Sequence, residues 1–162
     1  KVLHRLAGAP LLHHAMDAAR ALQADRVVVV AGHGADAVEA AARAHTPDAI
    51  TVRQEPQLGT AHAVLAARAA LAGFDGDAVV LYGDTPFIRP ETLRAMLAAR
   101  RAGAHAVAFL GFETAEPGRY GRLIMAGDRL IRIVEAKDAT PAELAVTFCN
   151  SGVVGSRMPR PS

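Results

Sequence analysis

Residues 26–34 read Arg26-Val-Val-Val-Val-Ala-Gly-His-Gly34, a β-branched run that ends in a glycine-rich turn. The run predicts a buried strand, and the helical spacing of apolar residues over 36–45 predicts that a helix follows it directly. The same order repeats downstream, with strands predicted over 50–54 and 78–82 and helices over 60–71 and 90–101. Alternating strands and helices are typical of parallel strands joined by right-handed crossovers.

The flanking regions differ from this alternating centre. A helix is predicted over 10–23, before any strand, whereas the region after Gly103 is rich in strands and has one short helix near 141–144. Its strands are predicted over 105–112, 122–125, 130–135 and 146–154. We therefore predict an α/β fold with a mixed, mainly parallel sheet and helices on both faces. Because a loop and a helix come first, we expect the first strand of the sheet to be missing.

Composition restricts the function classes. The 162 residues are 51% hydrophobic with a net charge of +2, enough for one domain with a sizeable core. Aromatic residues make up 4% and there is no basic tract, so nucleic acid is not expected as a partner. Cys149 is the single cysteine, which excludes an internal disulfide. No apolar stretch approaches the ~20 residues of a membrane span and no signal segment opens the chain, so we expect a cytoplasmic protein without a membrane partner.

The first glycine motif has two interpretations. Gly32-His-Gly34-Ala-Asp-Ala37 follows a predicted strand and opens a helix, and Glu55 follows the next strand. A dinucleotide-binding fold places its glycines and its ribose carboxylate in that order, so an NAD-binding oxidoreductase domain is one hypothesis. The alternative is that the glycines only let the chain turn between strand and helix.

The second motif is Gln54-Glu-Pro-Gln57-Leu-Gly59-Thr60-Ala-His-Ala63. Gly59 admits a flat base or a phosphate close to the backbone, and the amides of Gln54 and Gln57 carry donors and acceptors suited to a base edge. The alternative is that Thr60 is the N-cap of a helix and that both glutamines face solvent. The spacing alone leaves both interpretations open.

A carboxylate follows the third predicted strand, in Leu81-Tyr82-Gly83-Asp84-Thr85. An aspartate at the carboxyl edge of a parallel sheet lies where α/β folds bind ligands. Mg²⁺ is commonly held by one or two carboxylates together with substrate phosphates. Asp84 therefore suits a nucleotide–metal site, although an aspartate also suits a turn without any ligand.

Six segments follow the order of one enzyme family: Lys1-Val-Leu-His-Arg-Leu-Ala-Gly-Ala-Pro10, Gln54 to Ala63, Tyr82-Gly83-Asp84, Tyr120-Gly121-Arg122, Val134-Glu-Ala-Lys-Asp138 and Asn150-Ser-Gly152. To about Val154, the chain resembles the pyrophosphorylase domain of the bifunctional N-acetylglucosamine-1-phosphate uridyltransferase/glucosamine-1-phosphate acetyltransferases. The resemblance implies a Rossmann-like nucleotidyltransferase fold. A similar Gly-His-Gly turn in that family has no dinucleotide role, which disfavours the NAD hypothesis.

The resemblance also implies a reaction and its participants. Uridylyl transfer from UTP to N-acetylglucosamine 1-phosphate, dependent on Mg²⁺, would release pyrophosphate and make UDP-N-acetylglucosamine for the cell wall. The parent protein would be a homo-oligomer, a trimer in this family. The family's site residues carry over to Lys1 at the phosphates, Gln54, Gly59 and Thr60 at the uracil, Tyr82 and Gly83 in the nucleotide pocket, Asp84 at the Mg²⁺, and Gly121, Glu135 and Asn150 at the sugar. Lys1 and Asp84 are the implied catalytic pair.

The chain departs from the family pattern at both ends. The family's glycine-rich phosphate loop would precede Lys1, and a second metal ligand and the acetyltransferase domain would follow the last residue. We expect a partial nucleotidyltransferase domain over 1–155, with a nucleotide-binding part over 1–103, a sugar-binding part over 104–155 and an atypical tail over 156–162. The alternative functions are another sugar-1-phosphate nucleotidyltransferase and a nucleotide-sugar-binding domain without catalytic activity.

Other reactive side chains do not form a recognisable site. His13 and His14 are adjacent on a predicted helix and point about 100° apart, which makes them a poor pair of metal ligands. Helix packing explains His62 as well as a role in the uracil motif does. Cys149 is expected to be a buried small apolar residue.

Overall fold

The computed structural model describes residues 1–158. Its helices are α1 (Leu11–Ala21), α2 (Ala35–His45), α3 (Thr60–Ala66), α4 (Pro90–Ala102) and α5 (Pro141–Leu144), with a short 3-10 helix at Ala136–Asp138. Its strands are β1 (Arg5–Leu6), β2 (Ala9–Pro10), β3 (Val28–Ala31), β4 (Ile50–Arg53), β5 (Asp77–Val80), β6 (Val107–Glu113), β7 (Arg122–Ala126), β8 (Arg129–Val134) and β9 (Phe148–Arg157). From α1 onward, the predicted order of helices and strands is confirmed.

The strands form three sheets within residues 1–158. β1 and β2 make a small antiparallel ribbon, and Gly8 in the turn between them has a φ of +84°. β3 and β4 pair in parallel, from Val28 opposite Ile50 to Ala31 opposite Arg53. The third sheet has five strands in the order β5, β9, β7 and β8, and β6 pairs with the other side of β9.

The α/β class with mixed sheets is confirmed, but the share of parallel pairing is smaller than predicted. Within the described residues, only β3 and β4 pair in parallel, and the pairs of the five-stranded sheet are antiparallel. Strand–helix alternation predicts the direction of successive strands but does not determine which strands become neighbours. β5 pairs with β9, from the far end of the chain, rather than with β4.

β9 extends past the predicted domain boundary at residue 155. Ser156 pairs with both Ala78 and Val107, and Arg157 pairs with Asp77. The first two residues of the predicted tail therefore belong to the sheet, because β5 and β6 both offer strand edges at this position. Residues 159–162 lie outside the described residues.

The core consists of two clusters of buried side chains that share helix α1. The first joins α1, β3 and α2 and contains Leu12, Met16, Val29, Ala31, Ala35, Val38, Ala42 and Ala49. The second joins α1, α4 and β9 and contains Ala18, Leu93, Met96 and Val153. The apolar residues of α1 recur at helical spacing over a wide face. One helix therefore packs against both the parallel pair and the five-stranded sheet.

Helix α3 ends at Ala66, five residues before the predicted end at 71. The chain continues in turns with i to i+3 hydrogen bonds, such as Leu71 N–H to Arg68 O at 3.2 Å and Ala72 N–H to Ala69 O at 3.2 Å. No residue of α3 is fully buried. The alanine-rich pattern predicted the helix, but α3 buries no residue of its own and turns of mixed i to i+3 and i to i+4 bonding replace the second half of the predicted helix.

Candidate active site

The candidate site lies where two strands end. β4 ends at Arg53, directly before Gln54, and β5 ends at Val80, shortly before Tyr82-Gly83-Asp84. Both are carboxyl ends of strands, the edge at which α/β folds bind ligands. The segments after the two strands meet at the hydroxyls of Thr60 and Tyr82, which are 3.3 Å apart.

Lys1 and Asp84 form an ion pair at this edge. Lys1 Nζ is 2.7 Å from Asp84 Oδ2, and the Lys1 side chain is 77% exposed. Hydrogen bonding to Asp84 and its negative charge raise the pKa of Lys1 above its ordinary value. The glycine at position 83 allows the first residues to approach, because a Cβ there would lie 3.3 Å from Val2 Cγ1 and 3.5 Å from Leu12 Cδ1. The two residues predicted to be catalytic are thus in contact.

Tyr82 contacts Thr60, which is predicted to bind the base, and Gly152, which is close to the predicted sugar residue Asn150. Its hydroxyl faces Thr60, and its carbonyl oxygen accepts the N–H of Thr85 at 3.2 Å and the Thr85 hydroxyl at 2.9 Å. The Tyr82 ring lies against Gly152, at the position that a Cβ on residue 152 would occupy. Gly152 belongs to the Asn150-Ser-Gly152 segment, but its contact with Tyr82 was not predicted, because its φ of +82° is not evident from the sequence.

The glutamine at position 54 is held by its surroundings. Its Nε2 donates to Gly59 O at 2.9 Å and lies 3.1 Å from His62 Nδ1. Only 9% of the residue is exposed. The interpretation in which Gln54 faces solvent is therefore wrong, because its amide closes the loop between β4 and α3.

The interpretation of Thr60 as a helix N-cap is also wrong. Thr60 is the first residue of α3, its N-cap is Gly59 with a φ of +95°, and no side chain caps the helix. Nothing lies within 4 Å of the position that a Cβ on Gly59 would take. The backbone at Gly59 is therefore open, as the base-binding interpretation requires.

The Gly32 turn differs from a dinucleotide site. A Cβ on Gly32 would lie 2.8 Å from Gln57 Cδ and 3.0 Å from Gln57 Nε2, so the Gln57 side chain covers this glycine. Gly34 is the N-cap of α2 with a φ of +67°. The exposed Gln57 side chain lies over Gly32, and Gly34 is explained by the start of the helix. The turning role is therefore the better interpretation.

The three predicted sugar-side residues lie together. The Asn150 N–H donates to Gly121 O at 2.8 Å. A Cβ on Gly121 would lie 3.5 Å from Glu135 Oε1, so the Glu135 carboxylate is beside that glycine. Asn150 Oδ1 accepts the N–H of Gly152 at 3.0 Å, and Gly152 contacts Tyr82. A continuous series of contacts thus joins the predicted sugar residues to the predicted nucleotide residues.

His13 and His14 have structural partners. His13 Nε2 lies 3.0 Å from Ala41 O, and its ring stacks on His45 with centroids 4.1 Å apart. His14 Nε2 lies 2.9 Å from Leu6 O. Within the described residues, no three histidine, cysteine or carboxylate side chains are arranged to hold a metal ion. Asp84, a single partly exposed carboxylate, suits only a metal that substrate phosphates also bind.

Comparison with known sequences gives two consistent findings. The profile of the MobA-like NTP transferase domain matches residues 1–143. The bifunctional protein GlmU of Dinoroseobacter shibae is 68% identical over 154 residues, which are 95% of this chain and 34% of that protein. GlmU of Ruegeria pomeroyi is 61% identical over the same share of each chain. The chain thus spans about a third of the length of these relatives.

Solved structures of nucleotidyltransferases have a similar fold. A UDP-glucose pyrophosphorylase superposes with a TM-score of 0.75 at 16% identity, over 97% of this chain and 68% of that one. A glucose-1-phosphate thymidylyltransferase from Bacillus anthracis, described as putative, superposes with a TM-score of 0.77 at 18% identity, over 97% and 62%. At such identities the match concerns the fold alone. Profile, relatives and fold agree, and the chain belongs to the MobA-like NTP transferase domain family.

Proposed function

We propose that this chain is the uridylyltransferase part of a longer enzyme that makes UDP-N-acetylglucosamine and pyrophosphate from UTP and N-acetylglucosamine 1-phosphate. The observation that carries the proposal is the set of contacts from Gln54 through Tyr82 to Asn150, with the Lys1–Asp84 pair at its edge. The order of these residues matches the family that the sequence resembles, and two GlmU relatives are 68% and 60% identical.

Different residues of the site bind different parts of the substrates. Gln54, Gly59 and Thr60 bind the base, and the ring of Tyr82 separates the base from the sugar side. Gly121, Glu135 and Asn150 bind the N-acetylglucosamine moiety. A phosphate oxygen of the sugar phosphate attacks the α-phosphorus of UTP in line, and pyrophosphate leaves. The nucleophile is already anionic, so the reaction depends on alignment and charge neutralisation rather than on a general base.

Lys1 and Asp84 provide the charges for this step. The Lys1 ammonium pairs with phosphate oxygens and offsets the charge that develops on them. Asp84 is the carboxylate that would hold Mg²⁺ together with the phosphates, which fits a single strand-end carboxylate with 27% side-chain exposure. When bound, Mg²⁺ neutralises phosphate charge and fixes the geometry of the phosphates.

The remaining expectations concern the longer protein. We propose a homo-oligomeric, trimeric parent in the cytoplasm, on the resemblance alone. Within residues 1–158, no helix combines the length and the apolar character that crossing a membrane requires. Another sugar-1-phosphate nucleotidyltransferase is the alternative to be distinguished by ligand choice.

The test combines ligand binding with one substitution. We expect UDP-N-acetylglucosamine with Mg²⁺ to raise the unfolding temperature, since a ligand at 100 times its Kd stabilises by about 2.7 kcal/mol. dTDP-glucose and NADH should have no such effect. In the longer enzyme, Asp84→Asn should abolish turnover and keep stabilisation by the uridine sugar. Asp128→Asn, in an exposed turn, is the matched control and should change neither.

Two results would contradict the proposal. Stabilisation by dTDP-glucose or NADH alone would assign the site to another substrate. Unchanged turnover in Asp84→Asn would remove Asp84 from the metal site.

A further inference from the structure

The amide of Gln54 has one allowed orientation. Its nitrogen is 2.9 Å from the carbonyl oxygen of Gly59 and 3.1 Å from Nδ1 of His62. A carbonyl oxygen can only accept a hydrogen bond, so the group that faces Gly59 is NH₂ and not Oε1. The chemistry of the partner therefore assigns the two ends of the amide.

His62 receives the second amide hydrogen. The NH₂ group has two donors, and one of them is used by Gly59 O. The other points to His62 Nδ1, which must then carry no proton, so the neutral imidazole is protonated at Nε2. With both hydrogens engaged, Oε1 is the group of Gln54 that remains for a ligand, and Oε1 can only accept.

The surroundings leave room for a flat ring beside this amide. Gly59 has a φ of +95°, and nothing lies within 4 Å of the place where its Cβ would be. Gln54 itself is 9% exposed, so little water reaches it. A buried polar group that fails to find its partner is strongly unfavourable. The free acceptor of Gln54 therefore discriminates between ligands that offer a donor and those that do not.

We infer that His62 is a positioning residue that makes Gln54 select a base with a ring N–H, such as uracil, over cytosine. Uracil presents N3–H to Oε1, whereas cytosine presents the lone pair of N3. Without the acceptor of His62, the Gln54 amide keeps only the hydrogen bond to Gly59. Rotation of the amide, which presents its NH₂ group to the cytosine lone pair, then breaks one hydrogen bond instead of two. The inference rests on the proposed function, because it requires the base to lie at Gln54.

The experiment measures the Kd of UDP and of CDP for the chain and its variants by calorimetry. We expect the unsubstituted chain to bind UDP at least about tenfold more tightly than CDP. In His62→Leu, we expect this ratio to fall to within about threefold. His62→Asn should restore the ratio, because its Oδ1 supplies an acceptor in place of Nδ1. His105→Leu, an exposed histidine outside the site, is the matched control and should leave the ratio unchanged.

The ratio of the two Kd values distinguishes the loss of positioning by His62 from general damage to the site. General damage would weaken UDP and CDP binding alike. If His62→Leu melts at the same temperature as the unsubstituted chain and keeps its ratio, the inference is wrong while the proposed function stands. If the unsubstituted chain binds neither nucleotide, both fail.

A second measurement needs no variant. Nitrogen-15 NMR of the unsubstituted chain at neutral pH should show His62 Nδ1 without a proton and Nε2 with one. A proton on Nδ1 would overturn the inference, because Nδ1 would then have no lone pair for Gln54.

Discussion

Gly152 determines where the Tyr82 ring can lie. A side chain on residue 152 would overlap that ring, and the φ of +82° lies in the region that favours glycine. The Gly152 N–H also donates to Asn150 Oδ1 at 3.0 Å. One residue without a side chain thus contacts both the Tyr82 ring and the Asn150 side chain.

Gly152→Ala should therefore affect both stability and ligand binding. The left-handed backbone costs about 1–2 kcal/mol for alanine. Displacement of the Tyr82 ring adds about 1–3 kcal/mol. Urea unfolding gives the loss of stability, and titration with UDP-N-acetylglucosamine should show a higher Kd.

Gly127→Ala is the matched control for this substitution. Gly127 also has a positive φ, +58°, but nothing lies within 4 Å of its Cβ position. Gly127→Ala should lose the stability that the left-handed backbone costs an alanine, about 1–2 kcal/mol. It should not show the further loss from displacing the Tyr82 ring, and the Kd for UDP-N-acetylglucosamine should not change. Equal losses in the two variants would mean that the Tyr82 ring moves aside freely.

At the scale of single elements, α5 shows how a four-residue helix is held. Thr140 is its N-cap, and the Thr140 N–H and hydroxyl both donate to the Glu143 carboxylate at 2.8 Å. These two hydrogen bonds lower the pKa of Glu143 below its ordinary value of 4.5, and Arg132 lowers it further. A helix this short needs such a capping box because it has few internal hydrogen bonds.

This lowered pKa gives a pH-dependent prediction. Because the folded pKa of Glu143 is the lower one, its carboxylate stabilises the fold fully above the ordinary value of 4.5. That stabilisation is lost as the pH falls through the folded pKa. Glu143→Gln should thus be less stable than the unsubstituted chain at pH 7, and the difference should shrink in acid. Urea unfolding at several pH values measures it.

Glu91→Gln is the control for the pH series. Glu91 makes an exposed contact with Arg94 at 3.7 Å, so its replacement should have little effect at any pH. The difference in the free energy of unfolding between Glu143→Gln and the unsubstituted chain should change with pH. A constant difference would show that the carboxylate charge does not contribute to stability.

The elements were predictable wherever one local pattern determines them. The β-branched run of β3 and the helical spacing of α2 are local, and both appear as predicted. Strand pairing is not local, so the neighbours of β5 could not be predicted from alternation. The two-residue strands β1 and β2 carry no periodicity at all.

The contacts within the candidate site were predictable only in part, because they depend on tertiary structure. Lys1 was implied by the family resemblance and Asp84 also by its position after a predicted strand, and the two side chains are in contact. The role of His62 toward Gln54 depends on how the loop between β4 and α3 closes, which spacing does not describe. The functional roles of the site residues remain predictions until the variants are measured.

At the scale of the whole molecule, α1 connects the two halves. Its Leu12 and Met16 belong to the cluster with β3 and α2, and its Ala18 belongs to the cluster with α4 and β9. Within the described residues, no strand pairing joins the parallel pair to the five-stranded sheet. Packing on α1 therefore joins them, together with contacts between side chains such as Thr60 and Tyr82.

Leu93→Ala tests this coupling. Leu93 is fully buried in the second cluster, and its truncation should cost about 2–5 kcal/mol. If α1 couples the halves, hydrogen exchange of the Val29 and Val30 amides in β3 should accelerate as well. Unchanged exchange in β3 would mean that the two halves unfold separately. Leu65→Ala, at a residue that is 63% exposed, should change stability by no more than about 0.5 kcal/mol.

The contact between Lys1 and Asp84 gives the free protein its own counter-ion. An incoming anion does not meet a bare ammonium, because it must compete with a carboxylate 2.7 Å away. Singly charged anions such as chloride compete poorly, whereas a polyphosphate brings enough charge to displace Asp84. The barrier is low because Lys1 remains largely in water. We therefore expect the pair to discriminate among anions by their charge.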